Sequence, residues 1–165
     1  MGEIMRGDRA EGVCALEIWG EQWFERFFEN AANLDVDKQD VKRYQDFINE
    51  QIYDLLVMGA ATANAEGKDI IEPQHLPITK GLQESIQQFE QMEEQEFELQ
   101  PILDQVMSRP PLERTPSAET EAQLTSIAGG LSLALAQSFK IMDTKLKNPH
   151  SDDWDRAFKV FNLLV

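Results

Sequence analysis

His75, His150, Cys14 and thirty carboxylates are the side chains of this 165-residue chain that could move a proton, attack an electrophile or hold a metal. Both histidines fall in connectors next to proline-containing turns, where an imidazole is solvated or caps a turn. Cys14 has no histidine near it in sequence, so nothing marks it as an activated nucleophile. Glu90, Glu93 and Glu94 share one helix face at spacings of three and four, which is how Mg²⁺-dependent pyrophosphatases present carboxylates. Such a site needs a second acidic helix and a base for the phosphate, and the sequence offers neither. The acids from Glu84 through Glu96 and Glu98 to Asp104 therefore read as a solvated face. Asp35, Asp37 and Asp40 match a fragment of a calcium loop but lack its glycine and terminal glutamate, so they read as helix caps. One set remains: Arg109, Arg114, Lys140, Lys145 and Lys147, which could contact phosphate with a steep salt dependence. No catalytic constellation emerges, and the expectation is a protein that is not an enzyme and needs no cofactor or metal.

The elements that must position these side chains belong to one domain's length of chain. The formal charge is −15, from 15 basic and 30 acidic residues. It excludes a basic histone-type or ribosomal coat and argues against nonspecific nucleic-acid or anionic-membrane binding. The charge is uneven. Residues 1–97 hold 8 bases and 21 acids, and 98–165 hold 7 and 9, so an anionic partner would meet the second half first. A lone cysteine forms no internal disulfide, the first residues have no apolar signal core, and the uncharged run 122–139 is too polar and short for a membrane span. Together these make the cytoplasm the expected location.

The hydrophobic period is helical throughout. Residues 1–18 are expected to be a flexible tail. Trp23, Phe24, Phe27 and Phe28 form the stripe of a short helix over 21–33. Asp35 or Asp37 caps a long helix over 38–66, in which Val41, Tyr44, Ile48, Ile52, Leu55, Gly59 and Ala63 recur at steps of three and four; Gly67 stops it. After an extended connector, Thr79 caps a helix over 79–96 with Leu82, Ile86 and Phe89 inward. The order then repeats. A short helix over 98–108 ends at Arg109-Pro110-Pro111. A second long helix covers 117–143, and Ser151 caps a last helix over 152–164 bearing Trp154, Phe158, Phe161 and Leu164. The Gly129-Gly130 pair predicts a close crossing of the two long helices, with Ile52 or Tyr53 filling the space.

Short–long–short, twice, resembles two histone-fold units. The stretch ATANAEGKDIIEPQHL is similar to the end of the histone long helix with its second connector and the start of the third helix. The segments FERFF, LDVDK, LPITKGLQESI, RPPLE, IAGGL and WDRAFKVFNLL resemble those of a bacterial family of uncharacterised single-chain proteins with two fused histone-like units, over about residues 20–165. The resemblance implies an all-α fold of tandem histone-fold units, 19–97 and 98–165, packed as an intramolecular handshake pseudodimer. It also implies connector pairs, 34–37 beside 146–150 and 69–71 beside 109–115. Lys145 and Lys147 would then join one pair, and Arg109 and Arg114 the other. The Arg-Lys-Thr signature of DNA-wrapping histones is not kept at Gly67-Lys68, Ile70 and His75.

The function expected is a non-enzymatic histone-fold module that binds a protein partner or itself. The alternative is a histone-like DNA binder using the second-half bases. No membrane and no small-molecule substrate are expected. An exposed apolar patch to which Leu163, Leu164 and Val165 contribute would favour the first.

Overall fold

Helix α1 (22–32) turns its stripe of Trp23, Phe24, Phe27 and Phe28 wholly inward in the computed structural model, which describes residues 22–92, 104–106, 108–110 and 112–164. The expected tail, Cys14, Val165, the acids Glu93, Glu94, Glu96 and Glu98, and most of the helix expected over 98–108 lie outside those residues; 104–106 are helical, with Val106 buried. Asn33 closes α1 in the left-handed region at φ 52°. Helix α2 (Lys38–Ala65) follows. The Asp37 carboxylate accepts from the N–H groups of Gln39 and Asp40, and the Asp40 carboxylate accepts in return from the Asp37 N–H. This reciprocal cap satisfies donors that a helix start leaves free. Gly67 ends the helix at φ 71°, a conformation cheap only for glycine.

Strand β1 (Ile70–Ile71) and a 3₁₀ turn (Pro73–His75) lead to α3 (Lys80–Gln91), which Thr79 caps through the Leu82 N–H. Strand β2 (Thr115–Pro116), α4 (Ala118–Met142) and α5 (Ser151–Leu164) complete the described chain. The structure is mostly helical, and among the described residues no helix is long and apolar enough to cross a membrane.

Two connector pairs meet, one at each end of α2. At its start the Asp35 N–H donates to the Lys147 carbonyl at 2.7 Å. At its end β1 and β2 run parallel, Ile70 opposite Thr115 and Ile71 opposite Pro116. There the Ile71 carbonyl accepts from the Ser117 N–H and from the Thr120 hydroxyl at 2.7 Å. A 28-residue helix spans about 42 Å, which separates the two junctions. Between them lies one core, in which Phe24 stacks on Tyr44 and Trp154 meets Phe139 edge-on.

Three local expectations change. Gly129 and Gly130 do not seat Ile52 or Tyr53 of the first long helix; they admit α3. A Cβ at Gly129 would lie 2.3 Å from the Phe89 ring, and one at Gly130 would lie 2.6 Å from the Ile86 side chain and 2.9 Å from its backbone. The apolar face of α3 needs cover, and a helix without side chains at two positions lets it approach closest. Helix α3 stops at Gln91, short of 96, with Glu90 and no base in its last turn, where the negative end of the helix disfavours acids. Ser151 is the first residue of α5 and not its cap. His150 takes that place, its N–H donating to the Asp153 carboxylate, while the Ser151 hydroxyl accepts from Arg43 at 2.7 Å.

Candidate functional site

Four of the five bases expected to contact phosphate fall at the two junctions, and Arg109 lies instead against the middle of α2. Arg114 holds the β1–β2 end together: its guanidinium donates to the Lys68 carbonyl, the Glu113 carbonyl and the Asn64 side chain. Arg109 lies 4.8 Å above the Tyr53 ring, a cation–π contact. At the other end Lys140 donates to the Leu146 carbonyl and is half-buried. Lys145 is exposed. Lys147 borders a cleft of about 640 Å³ together with Glu25, Glu29, Asp35 and Asp37, so its surroundings are acidic. Lys140, Lys145 and Lys147 thus stand at one junction and Arg114 at the other. Among the described residues no group of three or more His, Cys, Asp or Glu side chains could hold a metal ion.

His75, expected to be solvated or capping, caps from within the fold. It is 3% exposed. Its Nδ1 accepts from the Glu72 N–H at 2.9 Å, so the proton of the neutral ring sits on Nε2, 3.3 Å from Glu66. Gly59 makes room for this turn: a Cβ there would stand 3.0 Å from Ile71 and Leu76. His150 is exposed.

Two more titratable groups among the described residues lie inside, Asp40 and Tyr44. Asp40 is buried beneath α5, and burial holds its carboxyl above the usual range. The charge of Asp37 adds to this, while the Asp37 N–H, Arg43 and the nearby Trp154 indole oppose it. Burial likewise pushes the Tyr44 phenol up, partly offset by its hydrogen bond to Ser132.

A different surface has the features of a binding site. An apolar groove of about 380 Å³ opens between the first turns of α3, the second half of α4 and the end of α5. Leu82, Leu131, Ala134 and Phe161 line it, and none of the described residues that line it is charged. Ile141 and Leu164 form its lip at 82% and 71% exposure, with Leu163 beside them at 85%. On a chain of charge −15, these are large apolar side chains left in water at one place. Among the described residues the groove offers no acid, base or thiol, only the hydroxyls of Thr79 and Ser85 and the Gln137 amide. It is shaped to receive apolar side chains. The α5 end was legible in the sequence. Ile141 was not, because its exposure depends on how α4 packs against α3 and α5.

Two solved structures resemble this one. A Thermus thermophilus protein is 44% identical, with a TM-score of 0.81 over 86% of this chain and 95% of its own. An Aquifex aeolicus protein is 20% identical, with a TM-score of 0.76 over 88% and 95%, a likeness of fold alone. A search of curated proteins gives no match. The family model described as a domain of unknown function, DUF1931, matches residues 24–162, and the chain belongs to that family.

Proposed function

We propose that this protein is a non-enzymatic, intramolecular histone-fold pseudodimer that works in the cytoplasm by binding protein. The paired connectors at both ends of α2 support the pseudodimer, since a handshake of units 19–97 and 98–165 requires both pairings. The observation that carries the binding role is the uncharged groove with Ile141, Leu163 and Leu164 exposed on and beside its lip. Fold alone does not assign a role, so the proposal rests on that surface. The DNA-binding alternative has weaker support. Arg114 is occupied within the β1–β2 junction and Lys147 sits among carboxylates.

A photo-crosslinking amino acid at position 141, compared with one at Asp46, tests the reading. Asp46 is an exposed control on α2. The expected result is a protein adduct formed in cells from position 141 and not from 46. Absence of any protein adduct from 141 overturns the binding role.

A further inference from the structure

We propose that the group this groove recognises is an aliphatic chain next to an uncharged amide, which a protein partner presents as an apolar side chain beside its own main chain. The inference rests on the protein-binding reading above and names the chemistry of the ligand. Ser85 carries it. This serine lines the groove and is 9% exposed. Among the described residues nothing donates to its hydroxyl or accepts from it. Buried polar groups are bonded as a rule, and one left alone costs free energy that a bonded occupant removes.

Two further polar groups border the same recess. Thr79 Oγ1 accepts from the Leu82 N–H at 3.2 Å and keeps its own proton to donate. Gln137 donates through Nε2 to Gln88 at 3.4 Å and keeps its oxygen to accept. Charge decides the ligand's polar end. A carboxylate meets no cation among the described lining residues, and a chain of charge −15 repels it. An ammonium meets no carboxylate there. An amide fits, because its oxygen accepts from the Ser85 or Thr79 hydroxyl and its N–H donates to the Gln137 oxygen. Leu82, Leu131 and Phe161 supply the apolar floor for the chain beside it. At about 380 Å³ the recess is at the small end of the ~300–1,000 Å³ of ligand sites.

The test is titration of the full, nitrogen-labelled chain with octanamide and separately with octanoate, followed by backbone amide shifts. The expected result is shifts at Leu82, Ser85 and Ala134 that saturate with a Kd on the order of 1 mM for octanamide. Octanoate should bind roughly tenfold more weakly. Ser85→Ala should weaken octanamide by roughly fivefold. The same variant should melt no lower than the wild type, since it deletes an unpaired hydroxyl. A lower melt would mean that the hydroxyl is already bonded within the fold and overturns the inference. Shifts elsewhere, equal binding of octanamide and octanoate, or indifference to Ser85→Ala each overturn it too. Crosslinking at position 141 separates this inference from the binding role. Octanamide that binds as described and suppresses the adduct supports both. An adduct without octanamide binding leaves the binding role standing and overturns the inference, as does an adduct that bound octanamide leaves untouched. Octanamide binding with no adduct overturns the protein source and leaves a site for a free amide.

Discussion

The Tyr44 hydroxyl on α2 lies 2.6 Å from the Ser132 hydroxyl on α4, and both side chains are sealed from solvent. Ser132 gives its single proton to the Ala128 carbonyl at 2.7 Å, so Tyr44 is the donor between them. The two long helices are thus joined by one directed hydrogen bond inside an apolar core.

That direction makes the two deletions unequal. Tyr44→Phe removes a donor and leaves Ser132 bonded to Ala128, which should cost about 1 kcal/mol. Ser132→Ala leaves the buried phenol without its acceptor and should cost more, about 1–3 kcal/mol. Urea unfolding of the two variants checks the order, and equal losses would mean that Tyr44 is not the donor.

Gly129 and Gly130 should differ in how they can be repaired. Alanine has the better helix propensity by about 1 kcal/mol, yet either substitution should destabilise by about 1–3 kcal/mol through overpacking. Gly129→Ala meets the Phe89 ring first, so adding Phe89→Leu should recover part of the loss. Gly130→Ala also meets the Ile86 backbone, and Ile86→Ala should recover little. Thermal melts of the four variants decide it.

Asp40 should give stability an acid-side slope. Its carboxyl titrates above the ordinary 3.8 because it is buried. Between 3.8 and that raised value the folded chain keeps a proton that the unfolded chain has lost. Stability from this group therefore falls as pH rises through the window and stays lower above it. Asp40→Asn removes the titration and should gain on the wild type as pH rises from about 3 to 7. Denaturant titrations at several pH values measure the difference, and a pH-independent gap between the two would contradict it.

His75 should show an asymmetric imidazole. With Nδ1 accepting from Glu72 and Nε2 turned to Glu66, nitrogen NMR of the neutral ring should find the proton on Nε2. His75→Leu removes the acceptor and should cost about 1–3 kcal/mol. A proton on Nδ1 would contradict the geometry.

Labelled duplex DNA should show no salt-sensitive rise in anisotropy, and Lys145→Glu with Lys147→Glu should change nothing. Arg109 and Arg114 lie apart from the three lysines, and phosphate affinity scales with the number of contacts made together. Tight binding that weakens steeply with salt, lost in the double variant, would restore the DNA reading.

The helical order was legible because it rests on local physics. Asp37, Thr79, Gly67 and the three-and-four spacing of Tyr44, Ile48 and Ile52 act within a few residues of themselves. What the glycine pair admits was not legible. Gly129 and Gly130 announce a close approach, but nothing in their neighbours tells α3 from α2. His75 was read as solvated or capping; the cap rests on Glu72, three residues away, and was legible, whereas its burial depends on the fold around the turn and was not. The groove was half legible: Leu164 at the end of α5 was expected to contribute to an exposed apolar patch, whereas the other walls come from α3 and α4 and meet only in the folded chain.

The junctions at the ends of α2 also set a schedule for synthesis. Arg43 waits for Ser151, 108 positions later, and Gln51 for Asn162, 111 later. At ~5–20 residues per second on the ribosome, α1 and α2 emerge on the order of 5–20 s before α5 can cover them. During that interval Phe24 and Phe28 lack the indole of Trp154. The nascent first half is thus a natural client for a chaperone, and a chain truncated before Ser151 should be recognised as unfinished.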